Sequence, residues 1–139
     1  MRVKHRSLLA ITLLTLLTFG VYHIYWYFIT KTEMNVINGK AKKVPFFLWF
    51  FIPVVNIWWF WRFAGAIEKT TKGNVSRITA FLAPIILGYL GSLFVAITYQ
   101  PYSFAMLNNA PKLGSTLILV AVSLLPIYYF QSNLNKYAK

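Results

Sequence analysis

Formal charge is absent from four long blocks of this chain, and that pattern constrains its fold more than any motif does. No Asp, Glu, Lys or Arg occurs over 7–30, 44–61, 78–111 or 113–135. Each block can hold close to the roughly 20 apolar residues that cross a hydrocarbon core of about 30 Å. A helix satisfies its own backbone polar groups in lipid, which irregular chain cannot do. The blocks therefore predict an all-α fold: an integral membrane bundle of four transmembrane helices, at about 7–38, 45–72, 76–99 and 115–131, forming a single domain over 1–139. Composition points the same way. The chain is 58% apolar and 12% charged, against about 25% charged in an ordinary soluble domain.

The start "MRVKHR" is a basic n-region, but the apolar run behind it is longer than a signal h-region and ends in "YHIYWYFIT" rather than at small residues. It is expected to be a retained helix. With the N-terminus cytoplasmic, Arg2, Lys4, Arg6, Arg62, Lys69, Lys72, Arg77, Lys136 and Lys139 fall inside. Lys31, Lys40, Lys42, Lys43 and Lys112 fall outside. All four arginines are on the inner side, as the positive-inside rule asks. The expected location is the inner (cytoplasmic) membrane, multi-pass, with both termini in the cytoplasm.

The net charge of +12 raises nucleic acid as a partner. The bases sit at predicted helix ends, where they suit anionic headgroups at about 1 kcal/mol each, so lipid is expected and nucleic acid is not. Without cysteine or aspartate, thiol chemistry and disulfides are excluded. The two histidines and two glutamates are too dispersed to suggest a metal set. Glu33 and Glu68 are expected on opposite sides of the membrane, unable to act as an acid–base pair. No phosphate loop or nucleophile elbow is present. No cofactor, metal or catalytic residue is expected.

The stretch "PVVNIWWFWRF" poses the sharpest question. Trp and Tyr gather at membrane interfaces because each joins an apolar body to a polar edge. Tyr25, Trp26, Trp58, Trp59 and Trp61 are thus expected to be interfacial anchors. Arg62 should snorkel to the headgroups with its guanidinium on Trp58 or Trp59. Pro53 is expected to kink the second helix, and Pro53 with Asn56 could instead mark a re-entrant turn. An amide at membrane depth needs a partner. Asn56 is expected to clasp a neighbouring helix, or else to line a small polar cavity with Tyr22 and His23. In the third segment Gly88, Ser92 and Ala96 form a stripe of small residues suited to close helix packing. A weak repeat with a shift of 33 aligns 20–27 with 53–60.

The opening "KHRSLLAITLLTLLTFGVYHIYWYFITKTEMN" resembles that of a small prokaryotic membrane domain, domain of unknown function 4234. The residues that carry the likeness are Lys4, Arg6, Ser7, Thr18, Gly20, Tyr22, Tyr25, Trp26, Glu33 and Asn35. The stretch from Ile52 to Gly91, the segment "YQPYSFAMLNN" and the close at Gln131, Leu134 and Asn135 are similar too. The resemblance implies a multi-spanning membrane protein with no assigned activity and no catalytic residues, and it adds weight to Gly20, Glu33, Asn56, Arg62 and Gln131. The function expected is a non-enzymatic accessory or scaffold subunit of a membrane assembly, in contact with anionic lipid and with other subunits or copies of itself. The alternative is a small transport or lipid-handling protein with a polar cavity near Asn56.

Overall fold

A glycine stop after Thr18 divides what the charge pattern predicts as one long first helix. The computed structural model describes residues 3–39, 43–98 and 120–138, without the side chains of 92 and 95–98. Helix α1 spans Leu8–Leu17 and α2 spans Val21–Asn38. Between them Phe19 and Gly20 take left-handed φ of 49° and 90°. The Gly20 N–H reaches the Thr15 carbonyl at 2.8 Å and the Phe19 N–H reaches Leu16 at 3.2 Å, the bond pair of a Schellman stop. Thr18 stitches the two helices together. Its hydroxyl donates to the Leu14 carbonyl at 2.7 Å and accepts the Tyr22 N–H at 2.9 Å. The first segment is therefore a hairpin, so Arg6 before α1 comes back beside Glu33 late in α2.

The second segment divides as well. A 3-10 turn covers Phe47–Phe51, Ile52 is extended, and α3 spans Pro53–Thr70 with Pro53 in its first turn. Proline disfavours helical backbone in the residue before it and suits a helix start, so Pro53 begins α3 where a kink within one helix was expected. At its far end α3 repeats the Thr18 device. Lys72 and Gly73 take φ of 51° and 84°, Thr71 donates back to Ile67 at 2.9 Å, and Thr71 accepts the Val75 N–H at 3.2 Å. Helix α4 spans Arg77–Thr98, with Ser76 accepting the Thr79 N–H at 3.1 Å as its N-cap. Helix α5 spans Leu125–Asn135.

Among the described residues no helix is long and apolar enough to cross a membrane, which overturns the integral bundle of four transmembrane helices. The physical reason is visible in three of the segments. The first is cut to the ten residues of α1 and an α2 whose second half is polar. In the second, α3 carries Arg62, Glu68 and Lys69. In the fourth, a turn at Leu124 separates helical residues 120–123 from the eleven residues of α5.

Side-chain contacts give the helix directions. Tyr27 packs on Phe60 and Phe63 and Asn38 bonds Ala66 and Thr70, so α2 and α3 run the same way. Trp61 meets Phe81, so α4 runs back along α3. Thr12 meets Tyr128 and Arg6 meets Asn135, so α5 runs against α1. One end of the molecule thereby collects the segment before α1, the ends of α2, α3 and α5, and the start of α4. Glu33 and Glu68, expected on opposite sides, both lie at this end.

The core is a ring cluster centred on Trp26, Tyr27, Trp59 and Phe63, all buried. Trp59 stacks on Phe63 at 5.2 Å and meets Phe50 edge-on at 5.2 Å. Burying one such side chain contributes about 1.5–3 kcal/mol. The close helix approach occurs at Gly91. A Cβ there would lie 1.7 Å from Val122 Cγ1, whereas one at Gly88 would meet no described atom within 4 Å. Ser92 and Ala96, the rest of the small-residue stripe, lie outside the described side chains. Gly91→Leu is expected to destabilise by about 1–3 kcal/mol, the range for overpacking, and Gly88→Leu by clearly less. Equal losses in chemical denaturation would show that the α4 approach is not at Gly91.

Candidate functional site

A chain of polar side chains links the gathered helix ends to the core. Trp26, fully buried, donates its indole N–H to Gln131 Oε1 at 2.8 Å. Gln131, also fully buried, donates to Asn135 Oδ1 at 2.6 Å. Asn135 takes both backbone groups of Arg6, accepting its N–H at 3.1 Å and donating to its carbonyl at 2.8 Å. The Arg6 guanidinium then pairs with Glu33, which also accepts the Lys4 N–H at 3.2 Å. A second asparagine acts in the same way. Asn35 accepts the Val44 N–H at 2.6 Å and donates to its carbonyl at 3.0 Å. The two segments without regular structure, 3–7 and 43–46, are pinned straps, and their Val3 and Val44 are buried.

The expected anchors divide by helix face. Tyr25, Trp58 and Trp61 are exposed, while Trp26 and Trp59 are in the core. The latter two are core residues where interfacial ones were expected, because successive helix positions turn by about 100° and only one face of α2 and α3 stays outside. Arg62 rests on neither Trp58 nor Trp59; it donates to the Lys43 carbonyl at 3.0 Å. The arginine that lies on a tryptophan is Arg77, its guanidinium 4.0 Å from the Trp61 ring. Nothing local signals that pair, since 16 residues separate the partners.

Tyr22, His23 and Asn56 do not come together. Asn56 donates its amide to the Phe50 carbonyl, closing the break before Pro53 within its own segment instead of clasping another helix. It edges a cleft of about 300 Å³ whose other walls are Ile57, Phe60, Phe81, Pro84 and Ile85. That cleft is apolar and has neither Tyr22 nor His23 on it. His23 lies on the Tyr27 ring at 5.4 Å, and burial lowers its pKa, so it is neutral at pH 7. Burial raises the Tyr22 pKa against the opposing pull of Arg6. Desolvation lowers that of Lys31, with Lys43 adding repulsion.

Among the described residues no three of His, Cys, Asp and Glu group so as to hold a metal ion. Both glutamates are engaged. Glu33 pairs with Arg6, and Glu68 accepts the backbone N–H of Arg77 at 3.1 Å.

The family described as a domain of unknown function (DUF4234) matches residues 6–69. The chain carries a DUF4234 domain. No curated protein and no solved structure matches it. The DUF4234 match holds α1, α2, the 3-10 turn and nearly all of α3, and ends before α4. Of the residues singled out by resemblance, Gln131 and Asn135 lie outside the matched segment, yet they partner Trp26 and Arg6 inside it. A Gln–Asn pair four residues apart, at the end of an apolar run, is the sequence signal for this contact, since a buried amide demands a partner.

Proposed function

We propose that this DUF4234 protein is a non-enzymatic accessory or scaffold subunit working at a membrane, in contact with anionic lipid and with a partner subunit or further copies of itself. The observation that carries this is the run of large apolar side chains left exposed on α1, the hairpin turn, α3 and α4. Leu17 is 75% exposed, Phe19 83% and Val54 81%, and Leu9, Leu13, Ile57, Ile85, Ile86 and Leu90 add to them. Contiguous apolar patches beyond a few hundred Å² are rare on soluble monomers and mark lipid or protein contacts. The cationic end complements this surface. Lys4, Lys69, Lys72 and Arg77 lie there, and among the described residues Arg6–Glu33 is the one ion pair. Basic groups near an anionic surface contribute about 1 kcal/mol each.

Two experiments test the proposal. The full chain should float with vesicles containing phosphatidylglycerol, float less with pure phosphatidylcholine, and be released in part by high salt. Native mass spectrometry of material taken gently from its own membrane should show a partner chain or a homo-oligomer at fixed stoichiometry. A chain that stays monodisperse and monomeric without detergent and ignores both vesicle types would refute it. The runner-up, a carrier with a polar cavity, draws no support from Asn56, whose amide is spent on Phe50. Lipid handling is favoured by the apolar cleft beside it.

A further inference from the structure

We propose that the seam between α3 and α4 is a binding site for one anionic phospholipid, with an acyl chain in the cleft and the phosphate on Arg77. This deepens the membrane proposal above and rests on it. The cleft walls, Ile57 and Phe60 on α3 and Phe81, Pro84 and Ile85 on α4, are apolar along their length, with only Asn56 at the far end. Its volume, about 300 Å³, lies at the lower edge of ordinary ligand pockets.

The other end of the seam is a built cradle for a guanidinium. The Arg77 guanidinium lies over the Trp61 ring at 4.0 Å, and its Nε donates to the Trp61 carbonyl at 3.3 Å. Gly65, one turn beyond Trp61, makes the room: a Cβ there would sit 3.2 Å from Arg77 Nε. The group is held through Nε and its face, and among the described residues its two terminal nitrogens have no partner. Those are the donors that meet a phosphate as a fork. Glu68, the nearest acid, is turned to the Arg77 backbone N–H and makes no ion pair with the guanidinium. Phe81 is one turn from Arg77, and it packs on Trp61 while lining the cleft. The charged and apolar parts therefore form one continuous seam. From Arg77 to Ile85 the helix rises about 12 Å, which suits an extended acyl chain with its head at Arg77. A negative headgroup is selected because the Arg77 guanidinium stands at one end, with Glu68 turned to the backbone, and the cleft lining carries no charge.

The test uses the full chain in mild detergent, with native mass spectrometry against added phosphatidylglycerol, phosphatidylcholine or inorganic phosphate. Wild type should retain one phosphatidylglycerol per chain and at least tenfold less phosphatidylcholine. Arg77→Gln and Ile85→Trp, the latter filling the cleft from an exposed position, should each cut retention about tenfold. Lys136→Gln, which removes the same charge at the end of α5, outside the cleft lining, should retain it fully. Thermal melts establish that each variant is folded, and Ile85→Trp stands as the test if Arg77→Gln is not. Equal losses in Arg77→Gln and Lys136→Gln, or full retention in Ile85→Trp, would overturn the site. So would phosphate competing as well as the lipid, which would make it a free-anion site. If these fail while the chain still floats with anionic vesicles, only the seam is wrong. If flotation fails too, the membrane proposal falls with it.

Discussion

Trp59→Ala is expected to cost about 3–5 kcal/mol, the range for deleting a large buried ring, while Trp58→Ala, its neighbour, should cost under about 1 kcal/mol. Trp58 is 50% exposed and Trp59 is 0% exposed. Removing Trp59 takes away the stack on Phe63 and the edge contacts to Phe47 and Phe50, so the 3-10 turn loses its seat on α3. Trp59→Phe should cost much less, because the ring contacts persist and the indole N–H has no partner among the described residues. Chemical denaturation of the three variants decides this. Similar losses in Trp58→Ala and Trp59→Ala would return both residues to an interfacial role.

The second large effect is expected at Gln131. Gln131→Leu should destabilise by about 2–3 kcal/mol, since it orphans the buried Trp26 N–H and takes a donor from Asn135. Leaving a buried polar group unpaired costs about 1–3 kcal/mol, whereas replacing both partners by apolar groups can be nearly neutral. The double variant Trp26→Phe/Gln131→Leu should thus recover much of the loss. A double-mutant cycle measures the coupling. Strict additivity would mean that the indole–amide bond does not tie α5 to the DUF4234 segment.

Much of the local structure is legible in the residues. Gly39 and Gly73 mark two helix ends and Ser76 one start, whereas Pro53, expected to kink a helix, begins one. The charge pattern nonetheless predicts a single helix where the hairpin forms, although "TFG" holds the stop that "TKG" repeats at 71–73. An unbroken apolar run outweighed one glycine, and the side-chain bonds of Thr18 to Leu14 and Tyr22 appear only once the chain has turned.

The candidate site was less legible. Asn56 and Pro84 are evident as oddities in apolar sequence, but their cleft exists only because α4 returns along α3. Trp58, Trp59 and Trp61 stand within four residues of Arg62, so sequence distance favours it over Arg77. Gly65 reverses that choice by making room for the more distant arginine.

By itself the sequence determined that the chain is helical, rich in exposed apolar and cationic groups, and stopped by glycine at particular places, because these follow from backbone preference and composition. The tertiary structure alone decided that both glutamates share one end, that Trp59 faces inward while Trp58 faces outward, and that Gln131 answers Trp26. Each depends on which helices become neighbours, and a contact between residues a hundred positions apart is set by the packing of whole helices.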